Sequence, residues 1–261
     1  MDLGLTGKRA VVTGGSKGIG RAVAEALAEE GVDLHLVART RADLDRTATA
    51  IRDAHQVAVT VHALDLSGSA VIPGLLEQTR DADILVNNAG AIPGGNLDAV
   101  DEATWRSAWD LKVFGFINLT RAYAQAMRAR GTGVIINVTG LAGDKLDANY
   151  IAGSTGNAGL MAFTRAAGAY SLDDGVRILS VSPGPVETER IVTLMRTRAE
   201  AELGDAERWR EYLDKLPQGR CATPREVADV VVFLASERAS FLSGTIVTVD
   251  GGHNARGGSF S

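Results

Sequence analysis

The run Thr13-Gly-Gly-Ser-Lys-Gly-Ile-Gly20 carries the elements of a diphosphate site. Glycines at 14, 18 and 20 permit a tight turn, close approach of the backbone to a pyrophosphate, and close packing of a helix on a strand. A β-branched apolar run precedes the turn and an amphipathic segment follows it. The free N–H groups and positive dipole end of that helix would face the phosphates. A glycine turn alone can be just a turn, but a strand before it and a helix after it are the context phosphate binding requires.

A second cue lies at Val37-Ala38-Arg39-Thr40, the end of the next apolar run. No carboxylate is present to accept hydrogen bonds from ribose hydroxyls; a guanidinium stands there instead, and Lys17 adds a second cation. Arg pairs bidentately with phosphate, which a carboxylate would repel. The pattern therefore favours NADP(H) over NAD(H). The plainer reading is an exposed Arg that opens the following helix.

These residues need a scaffold, and the apolar periodicity supplies one. Strands are expected at 9–13, 33–38, 58–64, 83–86, 134–138, 177–181 and 245–249, with helices at 18–30, 41–54, 101–130, 149–170 and 224–236. This alternation implies an α/β fold: one Rossmann-type, doubly wound parallel sheet of about seven strands flanked by helices. Nothing divides the chain, so residues 1–261 are expected to form one domain. The charged segment 187–217 interrupts the alternation beyond a strand's carboxyl end, where it suits a substrate lid or a solvated surface helix equally. The tail 251–261 is glycine-rich and expected to be partly mobile.

The chain has 261 residues and a formal charge of −5 without a basic block, which argues against nucleic acid and anionic membranes. Cys221 is the only cysteine, so no internal disulfide can form. The first ten residues have no signal-like apolar core, and a soluble cytoplasmic protein is expected. His35, His62 and His253 lack ligand-like spacing and His55 sits on a polar helix, so no metal site is expected.

Further blocks carry a resemblance. Asn87-Asn-Ala-Gly90 closes the fourth strand, Asp65-Leu66 follows the third, and Ser182-Pro-Gly-Pro-Val-Glu-Thr188 follows the sixth. Together with Gly-x-x-x-Gly-x-Gly, Tyr150 and the C-terminal Val249-Asp-Gly-Gly252, they resemble the short-chain dehydrogenase/reductase family from Leu5 to Gly252. The resemblance implies a nicotinamide cofactor held by Gly14, Ser16, Lys17, Gly18, Ile19, Gly20, Arg39, Asp65, Leu66, Asn87, Ala89, Gly90, Pro183, Gly184, Val186 and Thr188. It also implies a homo-oligomer, a dimer or tetramer, packed through the helices at 101–130 and 149–170.

In that family a Tyr-x-x-x-Lys pair performs acid/base chemistry, a Ser holds the substrate oxygen, and a helical Asn supports a water beside the Lys. Here Tyr150 matches the Tyr, Ser154 takes the Lys position, Gly140 the Ser position and Lys112 the Asn position. A phenol needs a shift of roughly 3 units, about 4 kcal/mol, to work near neutrality. A cation about 4 Å away supplies energy on that scale at intermediate dielectric. Neither Ser154 nor Gly140 can replace what is lost, and Thr139 substitutes for the Ser only if the strand end bends. Lys112 either reaches into the vacated space as a relocated cation or snorkels to solvent.

The reading that follows first is an NADP(H)-dependent oxidoreductase interconverting a carbonyl and a secondary alcohol on a small-molecule substrate. Tyr150 would be the acid/base and Lys112 the relocated cation, with Thr139, Gly140 and Ser154 as weaker substrate contacts. A non-redox lyase, dehydratase or isomerase using Tyr150 is the alternative, and an NADP(H) sensor without turnover is the third reading.

Overall fold

The computed structural model describes residues 2–256. Its strands are β1 (Arg9–Thr13), β2 (Asp33–Ala38), β3 (Val59–Ala63), β4 (Ile84–Asn87), β5 (Gly133–Val138), β6 (Val176–Pro183) and β7 (Ile246–Val249). They form one seven-stranded sheet in the order β3-β2-β1-β4-β5-β6-β7, every pairing parallel. The helices are α1 (Gly18–Glu29), α2 (Arg41–Ala54), α3 (Ile72–Thr79), α4 (Glu102–Trp109), α5 (Gly115–Arg130), α6 (Ile151–Gly168), α7 (Glu189–Leu203) and α8 (Pro224–Ala235).

The strands are apolar throughout because both faces of the sheet are covered. Successive residues alternate faces, so Ala10 and Val12 pack with Val23, Leu27, Val227 and Val231 of α1 and α8. Val11 between them joins Leu119, Tyr123 and Met127 of α5 on the other face. From β1 the chain builds outward to β2 and β3, then returns to place β4 on β1's free side. The reversal opens a crevice above the carboxyl ends of β1 and β4, the position where open α/β sheets take their ligands.

Three features of the fold bear directly on the site. The continuous helix expected over 101–130 is divided by a π-helical turn, Asp110–Phe114, between α4 and α5. Such turns insert a residue into a helix and recur at functional sites, and Lys112 sits at the centre of this one. Beneath the strand ends, Asn87 donates to Thr120 Oγ1 (3.1 Å) and Asn137 Oδ1 (2.9 Å), and Asn137 donates to Thr164 Oγ1 (3.0 Å). This buried network ties β4, β5, α5 and α6 into one platform. Finally, α6 approaches its neighbours closely because its inner face is small: a Cβ at Gly156 would lie 3.1 Å from Val113 and 3.2 Å from the Trp109 indole nitrogen. That indole donates to the Ala152 carbonyl at 3.0 Å.

Segment 187–217 contains α7, whose N-cap Thr188 accepts the Ile191 N–H at 3.4 Å, followed by 3₁₀ turns over Ala206–Lys215. Part of the C-terminal tail is held rather than loose, since Lys145 donates to the His253 carbonyl at 3.0 Å. The expectation of mobility for 257–261 lies outside the described residues. Among the described residues no helix is long and apolar enough to cross a membrane, and no three His, Cys, Asp or Glu side chains are grouped to hold a metal ion.

Candidate active site

The glycine turn fits a dinucleotide. Gly14 and Gly18 have φ of 64° and 55°, a region that favours glycine. A Cβ at Gly20 would lie 2.2 Å from the Gly14 carbonyl oxygen, so the third glycine is fixed by the closeness of turn and helix. No side chain caps the start of α1, which leaves its first N–H groups for a phosphate. Opposite the turn, Thr13 Oγ1 accepts the N–H groups of Asn88 (2.9 Å) and Ala89 (3.1 Å), locking the loop after β4 to the end of β1. The two loops form the crevice walls, so the residues present fit a nicotinamide dinucleotide.

The other expected cofactor residues fall at the same sheet edge, with differences in what each can offer. Arg39 is exposed and its charge helps hold the Asp65 carboxyl below its ordinary value, after the larger effect of hydrogen bonds from Ser67. Lys17 is less free than expected, for its amine pairs with Asp43 at 3.2 Å. The Asn87 side chain is buried, its Nδ2 bonded to Thr120 and Asn137 and its Oδ1 without a partner among the described residues. Ile19 is half-buried at the start of α1, and Leu66 is buried against the α3–α5 layer. Beyond β6, Pro183 ends the strand and the Gly184 N–H is bonded to Val249 O at 3.0 Å. Val186 bridges Ala222 through its neighbours' backbone groups, which turns its own N–H and carbonyl away from that pairing. Thr188 lies over the turn, its methyl 3.2 Å from where a Gly18 Cβ would be.

Tyr150 stands at the N-cap of α6, half-buried against Ile92, Trp105, Trp109 and Ala152. Its ring fills the space of an absent neighbour: a Cβ at Gly153 would lie 2.0 Å from Cε1 and 2.1 Å from Cζ. The tyrosine thus reaches the site from one helical turn upstream. Burial pushes the phenol above its ordinary value of 10, and the nearby Arg190 guanidinium partly opposes this. Tyr150 is consequently protonated at neutral pH, which suits a proton donor.

Lys112 turns inward, not to bulk solvent. Its stem lies along Gly90 and its amine donates to the Thr139 carbonyl at 3.2 Å. No hydrogen bond joins it to Tyr150 among the described residues; the cation acting on the phenol is Arg190. Burial, with a smaller contribution from Arg190, lowers the Lys112 amine from 10.5 to about 7. A base held below its unfolded value favours the deprotonated folded state, so its burial costs nothing above pH 10.5 and most below pH 7. Lys112→Met should therefore stabilise the ligand-free protein by on the order of 3 kcal/mol below neutrality. The gain should vanish as pH rises towards 10.5, as denaturant melts across pH would show.

Three expected substrate contacts are placed differently. The Thr139 hydroxyl is buried and bonded to Ser180 Oγ (2.9 Å) and Val181 O (3.3 Å), so the strand end does not bend to present it. Ser154 Oγ accepts the Asp147 N–H at 3.1 Å and braces the loop before Tyr150 rather than facing a substrate. Gly140 faces α6, and the side chain opposite it is Asn157, at 3.3 Å from the site of a Gly140 Cβ. Asn157 donates to Gly153 O at 2.9 Å, while its Oδ1 is buried without a partner among the described residues. Gly153 and Asn157 repeat the four-residue spacing of Tyr150 and Ser154, and of the later pair Asn157 faces Gly140 while Gly153 lies under the Tyr150 ring. Sequence reasoning passed over Asn157 because spacing alone gave no sign of which register faces the strand end. Arg190 lies in the charged segment 187–217, where no motif singles it out.

Comparison with known proteins agrees with this architecture. A family model described as enoyl-(acyl carrier protein) reductase matches residues 14–254. Galactitol 2-dehydrogenase (L-tagatose-forming) of Cereibacter sphaeroides is 35% identical over 251 residues, covering 95% of this chain and 96% of that protein. L-sorbose reductase from Gluconobacter frateurii, solved with NADPH and L-sorbose, superimposes with a TM-score of 0.91 at 32% identity, covering 98% of this chain and 100% of the other. A solved short chain dehydrogenase/reductase family protein is 36% identical, with a TM-score of 0.84 over 98% of this chain and 100% of its own.

Proposed function

The chain belongs to the short-chain dehydrogenase/reductase family, and from that premise we propose that it is an NADP(H)-dependent oxidoreductase interconverting a carbonyl and a secondary alcohol. The observation that carries the reading is the position of Tyr150. Its protonated phenol lies near the Arg190 guanidinium, which is bonded to Gly90 O in the loop after β4 that faces the glycine turn. Bound NADPH would supply the hydride. Gly14, Ser16, Gly18, Ile19, Gly20, Ala89 and Gly90 would hold its phosphates and riboses, and Arg39 its 2′-phosphate. Pro183, Gly184, Val186 and Thr188 would border the nicotinamide. Lys112, whose stem lies along Gly90 and whose amine donates to the Thr139 carbonyl, would meet the nicotinamide ribose.

A phenol protonated at neutral pH has a proton to give to a substrate carbonyl oxygen, the role that reduction would need; burial opposes that transfer by making it a weaker acid, and the Arg190 charge works against the burial. The L-sorbose reductase and galactitol dehydrogenase relatives act on polyol or ketose substrates, which supports a hydroxylated ketone as the first class to screen. Consumption of NADPH across a panel of ketoses and β-keto esters tests the reaction.

Calorimetry tests the cofactor. NADPH should bind more tightly than NADH, and Arg39→Ala should remove most of the difference while leaving NADH affinity nearly unchanged. Loss of one bidentate phosphate pair corresponds to about 1.5–3 kcal/mol, or roughly 10–150-fold. Equal affinity of the unaltered protein for both cofactors would rule the assignment out. Packing of the faces of α5 and α6 is proposed to give a dimer or tetramer, with Phe114, half exposed beside α5, among the residues it would cover. A monomer mass by light scattering at micromolar concentration would contradict it.

A further inference from the structure

We infer that Arg190, on the first turn of α7, is the positioning residue for the Tyr150 proton donor, brought beside the phenol when α7 docks on the loop after β4. The inference rests on Tyr150 being that donor. The docking is specific: Arg190 Nη1 donates to Gly90 O at 3.1 Å and Nη2 donates to Ile92 O. Ile92 packs in the same cluster as the Tyr150 ring, with Ala152 and Trp109. Tyr150 is joined to this loop a second time, by the backbone bridge between Gly95 and Tyr150. The base of α7 meets the other crevice wall, where Thr188 covers Gly18. One turn of helix therefore spans the crevice and fixes a cation beside the phenol.

The chemistry needs a permanent charge. When the Tyr150 O–H bond breaks and its proton passes to the substrate oxygen, a phenolate remains until water reprotonates it. Of the charged groups on facing elements, Arg190 from α7 and Lys112 from the π-helical turn are cationic, and Asp147 lies on the loop before Tyr150. Lys112 is lowered to about 7 and loses its charge as pH rises. A guanidinium keeps its charge at every pH of interest. Its two partners here are neutral carbonyls, so that charge stays available to the phenolate. The place of the family's helix lysine is thus taken by a residue from α7, and the seating of α7 on the loop after β4 becomes a condition for the acid to work.

The test is a titration of Tyr150 by NMR of ¹³Cζ-labelled tyrosine, with the resonance assigned by its loss in Tyr150→Phe. Arg190→Gln keeps amide donors for the two carbonyls and removes the charge; it should raise the Tyr150 midpoint by about 1–2 units. Arg190→Lys should restore part of that shift. With a substrate in hand, Arg190→Gln should lower kcat at least about tenfold, with the rate partly recovered in Arg190→Lys. The titration is read without substrate or cofactor, so it stands apart from whether the reaction is a reduction. An unchanged midpoint in Arg190→Gln, or a larger shift in Lys112→Met than in Arg190→Gln, would overturn the inference. A lowered kcat with an unchanged midpoint would reduce Arg190 to a structural tether and overturn it equally.

Discussion

Tyr150→Phe should leave a folded protein that binds NADPH with unaltered affinity and reduces carbonyls about 10²–10⁴-fold more slowly. The substitution keeps the ring, and with it the packing against the cluster of Ile92, Val100, Ala108 and Ala152. It also keeps the volume over Gly153. What is lost is the phenolic proton of Tyr150; Tyr123 cannot replace it, being buried against Thr79. The expected signature is a fall in kcat with little change in KM, because the missing interaction is made only as the substrate oxygen gains charge. Steady-state kinetics with cofactor binding measured separately checks this. A variant with normal kcat would remove Tyr150 from the chemistry.

Gly153→Ala should separate activity from stability more sharply. In a helix interior the exchange favours the folded chain by about 1 kcal/mol through propensity alone. Here the added Cβ would meet the Tyr150 ring at 2.0 Å, and the ring or the start of α6 must move. Misplacing a reacting group by an ångström costs on the order of 10²-fold in rate. The variant should therefore lose about two orders of magnitude in kcat while its unfolding free energy changes by no more than about 2 kcal/mol. Tyr150→Ala in the same chain would relieve the overlap, so the two substitutions should couple in stability although neither restores activity. Full activity in Gly153→Ala would mean that the ring does not work from where it lies.

The fold and the glycine turn were legible because they depend on local patterns. Apolar β-branched runs give β1 to β7 within one or two residues, and the glycine spacing gives the turn before α1. The boundaries that slipped have local causes as well: α6 begins at Ile151, since Tyr150 takes an N-cap conformation, and the expected long helix contains the turn around Lys112. The catalytic corner was less legible because its geometry is tertiary. Thr139 is drawn into β6 by Ser180, Ser154 is turned to the loop by Asp147, and Arg190 arrives from a segment forty residues beyond Tyr150 in sequence. The motif frame placed Ser154 opposite the strand end, whereas packing places Asn157 there. No periodicity distinguishes the two, because both lie on the same helix of small residues.

The central claim is that Tyr150 gives a proton to a carbonyl while NADPH is oxidised. The stoichiometry of that exchange tests it most directly: NADPH consumed and alcohol formed, followed together in one reaction with a ketone substrate by absorbance and chromatography. One alcohol formed for each NADPH oxidised, with both lost in Tyr150→Phe, is the predicted result. Product formed without net NADPH oxidation, still dependent on Tyr150, would contradict it and identify a lyase, dehydratase or isomerase on the same scaffold.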